Sequence, residues 1–418
     1  MNYIDFLKKE LLAAFGCTEP IALAYCAAKV RDLIVDEPDE IVANLSGNII
    51  KNANSVKVPG TDGRHGIYIS VVAGAFLGDS SKELEVLSEI DKNQLERCDK
   101  LIEQGILKVN LVPDVANLYI DISMKNKKNS ARVIIQKSHT NIIFMEKNGE
   151  ILLDNKQVES EEEKMDFSFD KIYDFANEVD YTPLLDILDK QINYNLAIAK
   201  EGLENDWGSN IGSIILKNNP SNYYEKLTAY AAAGSDARMS GCELPVVINS
   251  GSGNQGITVA VPIIVYCNDN NIEKDKFYRG LIFANLIGFY LKENIGKLSA
   301  YCGVVSAACA SVCGIAFIKG DSKTVLMEAL SNGLAVNSGV ICDGAKASCA
   351  GKITSSLRNA FLGYEQAKTL NSYEIGHGIV KSKLDETIKT VGNIAKYGMK
   401  ETDEIILKEI LGQRDYIK

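Results

Sequence analysis

The hydrophobic period of the chain changes along its length, and each change predicts a different kind of element. Residues 1–35 place charged and apolar positions at helical spacing in two pieces, broken at "FGCTEP". There Thr18 is suited to cap the second helix, Glu19 to its positive start and Pro20 to its first turn. From about residue 40 to 160, "EIVANLSGNIIKNANSVKVPG", "GILKVNLV", "LYIDISMKN", "ARVIIQKS" and "NIIFMEKNGEILLD" are β-rich and in places alternate with period two, which predicts a mostly antiparallel sheet. Between them "SSKELEVLSEIDKNQLERCDKLIEQG" has caps, apolar residues three and four apart and a final Gly, and predicts a helix. The acidic "ESEEEKMDFSFD" reads as a solvated linker. Beyond it, runs such as "DFANEVDYTPLLDILDKQINYNLAIAKEGL" and "KFYRGLIFANLIGFYLKENIG" have helical period and almost no strand signal, with Gly-rich breaks at 249–256, 302–303, 339–344 and 376–378. The pattern predicts an α+β protein: a helical segment 1–35, an α/β domain 36–165 with a mostly antiparallel sheet, and a mostly α-helical domain 166–418. No internal repeat of fixed period accompanies it.

Composition narrows the partners. At 418 residues a sizeable core is available without staples, and a net charge of -10 with a pI near 5.1 argues against nucleic acid or an anionic membrane surface. A small-molecule ligand fits better. The N-terminus lacks the basic and apolar regions of a signal peptide, which places the expected protein in the cytoplasm. Residues 300–318, "AYCGVVSAACASVCGIAFI", carry no charge and are long enough to span a membrane. Their small residues suit a buried helix, and no second span or aromatic belt accompanies them, so no membrane partner is expected. The apolar helical half is of a kind that also pairs in a homodimer.

Ten cysteines, at 17, 26, 98, 242, 267, 302, 309, 313, 342 and 349, are many for a cytoplasmic chain, where disulfides do not persist. Metal binding, catalysis and burial compete to explain them. Cys302, Cys309 and Cys313 fall near one helix face, and for Cys309 and Cys313 a packing stripe is the simpler account. Cys342 and Cys349 stand in "CDGAKASCAGK", where exposed backbone N–H groups together with Lys346 and Lys352 favour negative sulfur. With Cys302 in "YCG" they can supply three thiolates to an iron-sulfur cluster whose fourth iron is open to substrate, although the compact ferredoxin spacing is absent. Zinc is disfavoured by the lack of a CxxC pair. Cys17, just before a helix start, is placed for a thiolate that acts as base or nucleophile, or else is a buried turn cysteine.

Two stretches are candidates for holding substrate. "NSGSGNQG", Asn249 to Gly256, can grip a phosphate or carboxylate through backbone N–H groups, with Asn254 and Gln255 in support, or can be a plain turn. It is similar to the phosphate cup of fold-type II pyridoxal-phosphate enzymes, but their Schiff-base lysine in its N-terminal setting is not found. "KSHTNI" offers Ser138, His139, Thr140 and Asn141 as a carboxylate site or a hydrogen-bonded turn. Of the other two histidines, His65 lies in a similar Gly-rich loop and His377 suits a structural role.

Taken together, "FGCTEP", "VPGT", "SGSGNQG", "YCGVVSAACA" and "CDGAKASCAGK" resemble the L-cysteine desulfidase family, a serine dehydratase-like group, over nearly the whole chain. The resemblance implies a lyase that depends on a 4Fe-4S cluster and converts L-cysteine to sulfide, ammonia and pyruvate. It implies cluster ligands at Cys302, Cys342 and Cys349 and proton abstraction by Cys17, with segment 1–35 docked on the helical domain. The iron-sulfur L-serine dehydratases are similar too, and have a Ser-His-Thr substrate motif like Ser138, His139 and Thr140. They end in a cysteine that fills the open iron site, whereas residues 350–418 here contain none, which favours a thiol substrate over serine. The alternatives are serine dehydration, a pyridoxal-phosphate lyase and a non-catalytic cluster-binding sensor.

Overall fold

The computed structural model of the chain describes residues 2–155, 165–296 and 298–412. The chain starts with helix α1 (Tyr3–Glu10), a short strand β1 (Ala13–Phe15) and helix α2 (Thr18–Ile34). Strand β2 (Glu40–Leu45) then leads to α3 (Gly47–Ala53), α4 (Ile67–Leu77) and α5 (Leu95–Glu103), and the sheet is completed by β3 (Leu107–Leu111), β4 (Tyr119–Lys125), β5 (Ser130–Gln136), β6 (Ile142–Lys147) and β7 (Glu150–Asp154). The six strands run in the order β3-β2-β4-β5-β6-β7; only the β2–β3 pair is parallel.

Period-two alternation builds the buried face of this sheet. Ile41, Ala43 and Leu45 of β2 stand opposite Met124, Ile122 and Ile120 of β4, which in turn face Ala131, Val133 and Ile135 of β5. These residues are buried under α2, and α4 covers α2 from the other side. The second helix approaches so closely that a Cβ at Gly74 would lie 2.3 Å from the Ala24 carbonyl oxygen. The opposite sheet face is polar: Arg132 clamps Asp121 with two 2.8 Å hydrogen bonds, and Asn44 donates to the same carboxylate.

Two stretches differ from the sequence expectation. The run after Leu45 is not strand but α3, because Ser46 turns the chain and its hydroxyl accepts the Ile49 N–H. The helix expected over 80–105 is broken into two 3-10 turns, Ser80–Glu85 and Lys92–Gln94, before α5, because Asp79 and Asp91 each cap a fresh start through Ser81 N and Asn93 N. The first half of the acidic linker, residues 159–164, lies outside the described residues.

The rest is helical: α6 (Phe169–Glu178), α7 (Leu185–Glu204), α8 (Ile211–Asn218) and α9 (Tyr223–Met239), then, after strand β8 (Pro245–Val247), α10 (Gly253–Asp269), α11 (Lys274–Lys292), α12 (Gly303–Lys319), α13 (Lys323–Asn337), α14 (Cys349–Lys368), α15 (Leu384–Asn393) and α16 (Lys400–Leu411). The uncharged stretch 300–318 forms buried α12, and no helix among the described residues is long and apolar enough to cross a membrane. One apolar core runs from the sheet into the helices. At its middle β1 pairs antiparallel with β8, Ala13 opposite Val247 and Phe15 opposite Pro245, so the residue before the "GCTEP" turn is held beside the glycine loop.

Candidate functional site

Two loop segments pair first. Cys302 N donates to Val340 O (3.0 Å) and Cys342 N donates to Ala300 O (2.6 Å), with Tyr301 opposite Ile341, so the bridge brings Cys302 and Cys342 together. The two sulfurs are thereby set against each other, and the Cys302 thiol, with Lys51, the Gly344 N–H and Lys352, pushes Cys342 toward thiolate against the cost of burial, while Cys302 is pushed up. Cys349 opens α14, where the Lys346 N–H donates to its sulfur (3.5 Å) and burial pushes the thiol up. Its charge is felt by both other cysteines' neighbourhoods, Cys302 and Lys352 included.

Four lysines surround the set. Lys51 is 1 % exposed and paired with Asp403, and Lys352 is paired with Asp343. Lys292 is buried and lowered by that burial to about 8, with Cys342 and Cys302 drawing it back up. Burial also lowers Lys346, whose ammonium is in electrostatic reach of Asp343, Cys17, Cys349 and Cys342. All ten cysteines are free. Among the described residues no group of three or more His, Cys, Asp or Glu side chains closes around a metal ion. A polynuclear cluster spreads its thiolates over separate irons and takes a wider triangle than one ion. In donor chemistry, three thiols flanked by cations and helix-start N–H groups, the residues fit such a cluster.

Cys17 reaches the same place from the other end of the chain. Gly16 adopts φ +79°, and a Cβ there would lie 2.0 Å from Pro59 Cγ, so "FGCTEP" sits directly on "VPGT". Buried Arg238 donates to Gly16 O (2.8 Å) and to Asn254 Oδ1 (3.2 Å), and the Thr18 hydroxyl donates to Gly251 O (3.1 Å). Cys17, not Thr18, occupies the N-cap position of α2, and it makes no capping bond. Its thiol donates to Glu19 Oε2 (3.3 Å) instead. The expectation of a dipole-favoured thiolate is therefore corrected: burial first, and then the Glu19 charge, push Cys17 up, and Arg238 only partly offsets them.

Glu19 itself is 7 % exposed. Burial would raise it, but His139 foremost, with backbone and Cys17 donors, holds its carboxyl down at about 2. His139 is buried in the 137–141 turn, Nε2 3.9 Å from Glu19 Oε1. Ser138 and Thr140 are half-buried in that turn. Asn141 is exposed and spends its amide on Gln136 O (2.9 Å), closing the turn rather than facing the cysteines. Asn254 and Gln255 are buried in the first turn of α10. The Gln255 amide lies against Gly303, where a Cβ would be 2.5 Å from its Cδ, next to Cys302.

The starts of α2, α10, α12 and α14 are thus linked, through Thr18 to Gly251, Gln255 to Gly303, Cys302 to Cys342, and Lys346 to Cys17 and Cys349. Converging helix starts favour anions. His65 is exposed, its Nδ1 3.2 Å from Gly63 O, and His377 is exposed beside Glu374; neither joins the group. Cys309 and Cys313 pack on α13, the first against Gly333 and the second with its thiol toward Leu326 O. Sequence reasoning missed the roles of Glu19, Arg238 and Lys51. The available signal was a lone basic residue in an otherwise small or apolar run, "SDARMSG" and "GNIIKNAN".

A family described as serine dehydratase alpha chain matches residues 81–408. Among similar full-length proteins is a UPF0597 protein of Lachnoclostridium phytofermentans, 43% identical over 411 residues, covering 98% of this chain and 99% of that one. A UPF0597 protein of Finegoldia magna is 42% identical over 414 residues, covering 98% and 99%. One from Bacteroides fragilis is 35% identical over 413 residues, covering 97% and 96%.

Proposed function

Because the chain belongs to the serine dehydratase alpha-chain family and its UPF0597 branch, we propose that it is a cytoplasmic 4Fe-4S-dependent lyase that eliminates sulfide from L-cysteine. The aminoacrylate released gives ammonia and pyruvate in water. The observation that carries this reading is the convergence of Cys17, Cys342 and Cys349 on one lysine, Lys346, with Cys302 brought against Cys342 by the paired loop segments.

Held by Cys302, Cys342 and Cys349, the cluster would supply a Lewis-acidic iron that lowers the cost of expelling sulfide. Cys17 handles the α-proton. The substrate carboxylate is assigned to the starts of α2 and α10, with Asn254, Gln255 and the hydroxyls of Ser138 and Thr140 as donors and Arg238 as countercharge. Asn141 is left out, since it is exposed and its amide closes its own turn onto Gln136 O. L-cysteine is the first reading, its thiol supplying sulfur to the open iron, and L-serine, with a hydroxyl in that place, is the second.

Anaerobic purification with iron and sulfide analysis, followed by sulfide and pyruvate assays on L-cysteine and L-serine, tests the proposal. Cys17→Ala should be cluster-loaded and inactive; sulfide release at the parent rate removes Cys17 from the chemistry. Cys342→Ala should lose cluster and activity together, and full iron retention removes it as a ligand. A yellow, borohydride-reducible protein supports pyridoxal phosphate instead, and cluster without turnover supports a sensor.

A further inference from the structure

A free thiol that stays protonated is a poor base, yet Cys17 is set where the lyase reading needs a proton taken from carbon. Around it three groups stand in line, each less than a tenth exposed. The Cys17 thiol donates to Glu19 Oε2 at 3.3 Å, and Glu19 Oε1 stands 3.9 Å from His139 Nε2. The Thr18 hydroxyl stands 3.1 Å from both Oε2 and Gly251 O, so its one proton is shared between them and it helps hold the carboxylate in this orientation. His139 Nε2 is buried and makes no hydrogen bond. An unpartnered buried ring nitrogen costs free energy, and a fold retains one where it does something else.

We infer that the Glu19–His139 pair is the terminal acceptor of the α-proton and that Cys17 is the shuttle between it and the substrate carbon. The inference rests on the lyase reading and deepens it. In the step, the substrate Cα–H bond breaks and a new S–H bond forms on Cys17, while the original Cys17 proton passes to Glu19. The electron pair left on Cα forms the Cα=Cβ bond and expels the β-sulfur with the C–S bonding pair. No free thiolate is needed at any point, which reconciles a raised thiol with proton abstraction. The proton then held by Glu19 can pass to the bare Nε2 of His139 when the carboxyl turns about its Cγ–Cδ bond. This restores the carboxylate and leaves it beside an imidazolium, its opposite charge close to Glu19 Oε1. From there the proton returns to the departing sulfide or to water, and the group is reset.

A purely structural Glu19, neutralising the start of α2, predicts something else. Glutamine would then keep the packing and the Cys17 contact and cost turnover little.

The test uses the cluster-loaded full chain. Glu19→Gln should lower kcat for L-cysteine about 100-fold or more, with KM within about twofold and the cluster absorbance unchanged, in the range that a lost general base produces. Glu19→Asp, which keeps the base one methylene back, should recover part of that loss. It should also show a larger isotope effect with α-deuterated substrate, because proton transfer becomes more rate-limiting. His139→Gln should lower kcat about tenfold with KM preserved. Glu19→Gln with parent kcat and cluster overturns the relay. Should Glu19→Gln fail to fold or load, parent kcat in both Glu19→Asp and His139→Gln overturns it equally. A parent protein that holds its cluster but turns over neither L-cysteine nor L-serine sinks the lyase reading itself, a result distinct from an active parent beside an equally active Glu19→Gln.

Discussion

Gly253 has no side chain because Arg238 lies where one would go: a Cβ there would be 2.3 Å from Arg238 Nε and 2.6 Å from Cζ. Arg238 cannot simply swing aside, since it is buried and its other two nitrogens hold Gly16 O and Asn254 Oδ1. Gly253→Ala therefore pushes on the guanidinium and, through it, on the turn that presents Cys17. Overpacking of this kind costs about 1–3 kcal/mol. Denaturant unfolding should show that loss, and turnover should fall further than stability because Cys17 moves. A variant with parent stability and parent kcat would mean the contact relaxes without reaching the turn.

Between elements, the same economy appears where α9 meets the start of α8. Asp236 on α9 accepts the Gly212 N–H (3.3 Å), and the N–H groups of Ile211 and Ser209 also help hold its charge. Burial outweighs these donors and raises the carboxyl to about 6 from its ordinary 3.8. The folded state then holds the proton more tightly than the unfolded one, so this group's contribution to stability falls as pH rises from about 4 to 6 and stays low above that. Asp236→Asn keeps an acceptor for the α8 start and removes the charge. Thermal melts should place the variant above the parent at pH 8, with the gap closing toward pH 4; a gap that grows on acidification would reverse the sign of this argument.

Elements with a local cause were legible in the sequence. Alternation at Ile41, Ala43 and Leu45 marked β2, the runs that became α7 and α11 carried their period openly, and α12 showed itself by its uncharged, small-residue composition. What escaped depended on partners far along the chain. β1 and β8 are three residues each and exist because they pair with one another across the fold. α4 is apolar all round, a pattern that shows burial but not its cover, which is α2. The site divides the same way. Cys17 at a helix start could be read from "FGCTEP", but its protonation state could not, because it follows from burial and from a carboxylate whose imidazole partner lies beyond residue 130. The joint roles of Cys302, Cys342 and Cys349 came from family resemblance more than from spacing.

At the scale of the whole molecule, the two ends of the chain meet over the cysteines. Lys51 of α3 is buried, its charge helps draw Cys342 toward thiolate, and its partner is Asp403 of α16, which also accepts from Asn48 Nδ2 (2.8 Å). Leu407 covers Gly47 one turn further on, and a cavity of about 810 Å³ lies between these elements and the Ser299–Ala300 approach to Cys302. Among the described residues of α16 none is fully buried, so this pair and the Leu407 contact account for much of its attachment. Asp403→Asn leaves a buried ammonium without countercharge, an arrangement that costs about 3–5 kcal/mol, whereas replacing both members by apolar residues of similar volume is often near neutral. Asp403→Asn should therefore lower the denaturation midpoint sharply, while the double variant Lys51→Met with Asp403→Leu should return most of it. The cluster separates the two effects. The double variant, stable but without the Lys51 charge, should hold iron less tightly than the parent when challenged with a chelator. Equal stability of Asp403→Asn and parent would show that water already reaches Lys51 through the cavity, and that α16 is held by its apolar contact alone.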